Sequence, residues 1–187
     1  MNLPQRHTIR LTNYDYSQEG LYFVTICCQD KICRFGKISN SEVVLNEAGK
    51  VAQEEWLKTP QLRPNVELGE FIIMPNHMHG IIVINNNNVG TNCIRPTTMG
   101  VLNTPLQQNG NGEFRSPSQT LGSIIRGYKS AVTKQIKQLY NASDIRLWQR
   151  NYYEHIIRNE ASYKNIADYI ANNPYNWVND DYYNEQN

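Results

Sequence analysis

Two periodicities alternate along the chain. LYFVTICCQ, at 21–29, is a run of β-branched and aromatic residues that predicts a strand lying centrally in its sheet. CRFGKI and SEVVL then flank the turn residues Ser39 and Asn40 and predict a short hairpin. In NEAGKVAQEEWLKTP, Val51, Ala52, Glu55 and Trp56 recur at helical spacing, with Asn46 placed to cap and Pro60 beyond the end. VELGEFIIM, at 66–74, reads as a strand. Pro75 and Asn76 break it, HMHGIIVI resumes it, and so short a break predicts that the two strands pair as a hairpin. Over 120–140 the apolar positions Leu121, Ile124, Ile125, Tyr128, Val132, Ile136 and Leu139 form one stripe of an amphipathic helix. WQRNYYEHIIR, at 148–158, reads as a strand. NEASYKNIADYIANNP, at 159–174, reads as a last helix with Ile166, Tyr169 and Ile170 on one side and Pro174 as its stop.

Between the strand ending at Ile84 and the helix starting at 120, the pattern lapses. Residues 85–119 are rich in Asn, Gly, Thr, Gln and Pro and carry little apolar periodicity, which reads as a low-complexity, flexible insertion within a domain. Without it the order is strand, helix, strand, strand, helix, strand, helix. That is the α+β, ferredoxin-like split βαβ pattern, an antiparallel sheet with helices on one face, extended by a C-terminal helix. A chain of 187 residues fits a single domain, 1–187, and is short for a closed (β/α)8 barrel.

Composition narrows the function less than pattern does. The chain is 40% hydrophobic and 19% charged, with a formal net charge of +1, which by itself does not point to a nucleic-acid binder. Its beginning, MNLPQRHTIRL, has no apolar core of a signal peptide, and no run approaches the roughly 18–20 apolar residues of a membrane span, so the expected location is cytoplasmic. Cys27, Cys28, Cys33 and Cys93 form no CxxC pair; reduced, partly buried thiols are expected.

The chemistry concentrates in FIIMPNHMHGIIVI, at 71–84, where two histidines interrupt an apolar strand. Alternation points His77 and His79 to one face and Met78 to the other, and two imidazoles about 7 Å apart along a strand can converge on one metal ion. A pair of satisfied sheet histidines is the alternative. HxH on a strand also opens the site of many metal hydrolases, but those use further ligands on a larger barrel, and this chain has only His7 and His155 besides.

MPNHMHGII, with WQRNYYEHIIR and DYIANNPYNW downstream, resembles the REP-associated tyrosine transposases, relatives of the single-strand insertion-sequence transposases in the HUH endonuclease superfamily. The likeness runs from RLTNYDYSQEGLYFVTIC to Trp177, interrupted by the Asn-rich insertion. It implies cleavage and rejoining of single-stranded DNA by a tyrosine hydroxyl, leaving a 5′-phosphotyrosine and a free 3′-OH. The implied substrate carries a hairpin such as a repetitive extragenic palindrome, and the implied cofactor is Mg2+ or Mn2+. It implies Tyr169 as nucleophile, His77 and His79 as metal ligands and Asn173 as the third. Spacing agrees, since Tyr169 and Asn173 are four apart and share a helix face. Asn172 remains open as the amide ligand, and Tyr152 and Tyr153 as rival nucleophiles. Three neutral ligands imply weak metal binding without DNA.

Charge distribution suggests where DNA would lie. Arg126, Lys129, Arg150 and Arg158 fall in a basic stretch, 120–158, and Arg6 and Arg10 in an opening with no acid before Asp15; Tyr152 offers a ring for stacking on bases. His155 falls in the EHIIR motif, which assigns it no role. A monomer and a homodimer are both compatible with the resemblance, as is association with the nucleoid. A hairpin-binding protein without turnover and a replication- or transfer-type nickase are the competing readings.

Overall fold

The computed structural model describes residues 18–85 and 120–183. Arg6, Arg10 and all but the first residue of the 85–119 insertion therefore lie outside the described residues. In chain order the elements are β1 Gly20–Cys27, β2 Gly36–Ser39, β3 Glu42–Leu45, α1 Glu47–Leu57, α2 Thr59–Leu62, β4 Val66–Ile73, β5 His77–Ile84, α3 Leu121–Leu139, β6 Tyr153–Ile157 and α4 Glu160–Asn172. The main sheet is antiparallel in the order β4-β5-β1-β6, the split βαβ arrangement that the pattern predicts, with β1 central. β2 and β3 form a separate hairpin.

Strand alternation sorts the sheet into two faces. Tyr22, Val24, Ile26, Met78, Ile82 and Ile84 bury one face against α1 and α3, contributed by Ala48, Ala52, Trp56, Leu121, Ile124, Ile125, Tyr128, Val132 and Ile136. Trp56 is the hub of this layer: it is fully buried, with the Tyr128 ring edge-on at 5.1 Å. The other face is covered by α4, where Ile166, Ile170 and Tyr163 pack with Phe23, Ile81 and Ile157. Caps fall where side-chain oxygens can reach orphan amides. Asn46 accepts from Gly49 N–H, Thr120 from Ser123 N–H and Asn159 from Ser162 N–H.

Two boundaries differ from the sequence reading. The hairpin turn centres on Asn40 and Ser41, both left-handed (φ 53° and 61°), because a two-residue turn matching strand twist needs positive φ at both positions. Pro60 lies beyond the end of α1 as the pattern predicts, and it sits in the first turn of α2, where no hydrogen bond is lost by its missing N–H. The strand expected over 148–158 contracts to β6. The Lys129 ammonium donates to the carbonyls of Gln149 (2.7 Å) and Asn151 (3.1 Å), and Trp148 Nε1–H donates to Lys129 O, so 148–152 is tied to α3 and touches the sheet only at the end of β1, where Gln149 N–H donates to Cys27 O at 2.9 Å.

Gly80 shows how tightly the helical layer sits on β5. A Cβ there would lie 2.6 Å from Trp56 Cζ2, an overlap that a rigid buried indole cannot relieve. Gly80→Ala is expected to destabilise the fold by about 1–3 kcal/mol, read as a lower urea midpoint at unchanged slope.

Candidate active site

The β4–β5 turn aims the histidines. Asn76, 1% exposed, donates through Nδ2 to the carbonyls of Lys31 (3.0 Å) and Tyr182 (2.8 Å). Those two acceptors fix its amide orientation, so Asn76 Oδ1 accepts from His77 Nδ1–H at 2.8 Å. The Nε2 lone pair of His77 consequently faces His79 Nε2, 2.9 Å away. His79 stands opposite Thr25 in the β1–β5 register, and its Nδ1 lies 2.8 Å from Thr25 Oγ1. A hydroxyl works in either direction. When Thr25 donates, His79 Nε2–H bonds to His77 and the pair is satisfied; when Thr25 accepts, both Nε2 lone pairs point inward and fit a cation. Thr25→Val, which removes the second option's acceptor, is expected to weaken Mn2+ binding roughly 10–100-fold, measured by calorimetric titration.

Both imidazoles are buried, and burial is what keeps them neutral. It lowers His77 to about 3, with Lys31 adding to the shift, and pushes His79 well below the usual range, helped by His77. Neutral imidazole is the form that binds metal.

On the facing helix, Tyr169 is 45% exposed, and its Oη lies 3.2 Å from His79 Nε2. The Tyr169 ring is edge-on to Phe23, with centroids 6.2 Å apart, and Phe23 stacks on His79 at 5.5 Å. Burial, reinforced chiefly by Asp180, raises the Tyr169 phenol to about 12, while a hydrogen bond with Asn173 pulls it down. One turn on, Asn173 is 1% exposed and donates through Nδ2 to Asp180 Oδ2 at 2.8 Å. Its Oδ1 is buried without a partner. Such an unpaired oxygen costs about 1–3 kcal/mol unless a ligand atom pairs with it. Asn172 is exposed and bonds back to Asp168 O.

Asp180 arrives from a segment that the sequence reading left out. After α4, a single 3-10 turn at Trp177–Asn179 folds the chain back over the histidines. The Tyr182 ring lies 4.6 Å from that of His77, and Trp177 stacks on His77 from 6.0 Å. Ligand atoms of His77, His79 and Asp180 all lie within 4.8 Å of one another. Two neutral imidazoles, a carboxylate and an orphaned amide oxygen suit a divalent cation better than the all-neutral set expected from sequence.

The remaining predicted residues divide. Arg126, Arg150 and Arg158 are exposed. Lys129 is partly buried, spends its donors on two carbonyls and is lowered to about 8 by burial. Tyr152 packs against the helical layer, on the opposite side of the sheet from His79. Sequence reasoning missed Thr25, Asn76, Asp180 and Tyr182. Only Asn76 left a signal, its place directly before HMH.

The fold is that of a solved REP-associated tyrosine transposase bound to a REP hairpin: the two superpose with a TM-score of 0.51 at 19% identity, over 90% of this chain and 74% of the other. No protein-family model matches the sequence. A Haemophilus influenzae protein described as uncharacterised is 45% identical over 178 residues, 95% of this chain and 93% of its own, and the chain belongs to the same family as that protein. No helix among the described residues is long and apolar enough to cross a membrane.

Proposed function

We propose that this chain is a single-tyrosine DNA transposase of the REP-associated type, which cuts and rejoins single-stranded DNA beside a hairpin. The observation that carries the reading is the approach of Tyr169 Oη to within 3.2 Å of His79 Nε2, on the fold shared with the REP-associated enzyme. That enzyme was solved with a REP hairpin, which supports hairpin DNA as the partner here.

In the proposed reaction Tyr169 Oη attacks the scissile phosphorus. The Tyr169 O–H bond and the P–O3′ bond break, an O–P bond forms, and the leaving 3′ oxygen ends as a hydroxyl, so the proton is conserved. The products are a 5′-phosphotyrosine and a free 3′-OH; the ester retains the energy for rejoining, and no nucleotide cofactor is required. A divalent cation, Mg2+ or Mn2+, would be held by His77, His79, Asn173 and Asp180, and when bound it would supply polarisation of the phosphate oxygens. The protein's own part is positioning. Phe23 and His79 hold the phenol ring, its partial exposure leaves the hydroxyl open to a strand, and the exposed Arg126, Arg150 and Arg158 offer phosphate contacts.

The test is incubation of the full chain with 5′- and 3′-labelled single strands carrying a hairpin, in Mn2+, followed by a denaturing gel. A protein–DNA adduct retaining the label on the 3′ side of the cut is expected. Hairpin binding with no adduct at any metal concentration would instead indicate a binding protein without turnover.

A further inference from the structure

Beside the tyrosine lies an open recess of about 480 Å3, which nothing in the reading above uses. Phe23, Tyr153, His155, Asn159, Asn165 and Ile166 line it. Phe23 is its shared wall with the active site, since the same ring contacts Tyr169 and His79. Asn165 and Ile166 precede Tyr169 by about one helical turn, roughly 5 Å along α4. The recess thus opens within the reach of one nucleotide from the hydroxyl.

Its chemistry is that of an uncharged, planar ligand. No Lys or Arg lines it, so it is not built for a phosphate. β6 is an edge strand, and of its positions on this face only Ile157 enters the core, while Tyr153 is 45% exposed and His155 is exposed. The Tyr153 ring stands T-shaped to Phe23, with centroids 6.2 Å apart, and nearly half of the residue is open to solvent, surface on which another ring can stack. Around these aromatics stand the His155 imidazole and the Asn165 carboxamide, groups that donate and accept in the plane of a base edge, beside Asn159, whose oxygen is engaged in capping α4. A single unpaired base needs both kinds of contact: an aromatic surface for its π face and hydrogen bonds for its edge.

We propose that this recess binds the unpaired nucleobase flanking the scissile phosphate, with Tyr153 stacking on it and His155 reading its edge. The proposal rests on the reading of Tyr169 as the DNA-cleaving nucleophile. It gives the EHIIR histidine a task, and it makes cleavage depend on base identity at one position outside the hairpin.

The experiment replaces each unpaired nucleotide near the cut, one at a time, by an abasic residue and measures adduct formation by the full chain. With wild type, one position is expected to cost roughly 5–150-fold, the range spanned by stacking of one base. Tyr153→Ala, at an exposed position and checked for an unchanged Tm, should lose as much on the intact strand and lose nothing further at that abasic position. His155→Ala should change the order of preference among the four bases there. If Tyr153→Ala remains as sensitive to the abasic residue as wild type, the recess holds no base, while the wild-type adduct keeps the transposase reading intact. If His155→Ala leaves the preference unchanged, edge reading by His155 is overturned. If wild type forms no adduct with any strand, the transposase reading fails and this proposal fails with it.

Discussion

Tyr169→Phe is expected to abolish the protein–DNA adduct, a loss on the order of a thousandfold or more, while leaving hairpin affinity and thermal stability close to wild type. The substitution deletes one oxygen from a ring that is nearly half exposed, so Phe23 and His79 keep their ring packing and only the hydroxyl proposed as nucleophile goes. Tyr182→Phe is the decisive control. Tyr182 also lies on the histidines, with ring centroids 4.6 Å from His77 and 6.0 Å from His79, so proximity alone does not separate the two tyrosines. Hydroxyl geometry does: Tyr169 Oη contacts His79 Nε2, on a helix that also brings Asn173 to the site, whereas Tyr182 lies on the segment folded across His77. Tyr182→Phe should therefore still form adduct. Adduct surviving Tyr169→Phe and vanishing in Tyr182→Phe would move the nucleophile to the C-terminal segment. Denaturing gels followed by peptide mapping of the phosphotyrosine decide it.

The parts of this arrangement that local pattern encodes were readable before any coordinates. The stripe from Leu121 to Ile136 defines α3 because each turn of a helix repeats the same face. Period-two alternation likewise sends Met78 to the helical layer and His77 and His79 to the other, whatever the strand pairs with. Placing Tyr169 and Asn173 beside them took more than pattern, since α4 and β5 are about ninety residues apart and only resemblance linked them. Thr25 and Asp180 were beyond either approach, and Asn76 left only its place before HMH. Thr25 meets His79 through strand register, Asn76 meets Tyr182 O across 106 residues, and Asp180 enters only because a single 3-10 turn reverses the chain after α4. Lys129 shows the opposite failure. Its place in a basic stretch suggested DNA, but an ammonium within reach of two unpaired carbonyls satisfies them first.

Metal affinity in the absence of DNA should depend on the carboxylate that the sequence did not disclose. Titrating Mn2+ into the full chain by calorimetry, His79→Ala is expected to lose measurable binding and Asp180→Asn to weaken it roughly 10–100-fold, the scale on which single contacts around a metal are felt. His77 and His79 are neutral and prefer softer ions than Mg2+ or Mn2+, so they supply direction more than affinity. Asp180 adds the negative charge and hard oxygen that these ions favour. Its oxygens accept from Asn173 Nδ2 at 2.8 Å and Tyr182 N–H at 2.7 Å, and each retains a lone pair. The same contact turns the Asn173 amide so that Nδ2 faces Asp180, leaving Oδ1 buried and free to receive a cation. Asp180→Asn preserves shape and removes the charge, but its single oxygen can accept from only one of Asn173 Nδ2 and Tyr182 N–H, so a loss of affinity is assigned to the charge only where Tm is unchanged. Wild-type affinity in Asp180→Asn would show that the imidazoles and Asn173 suffice, and tight binding in His79→Ala would place the metal elsewhere.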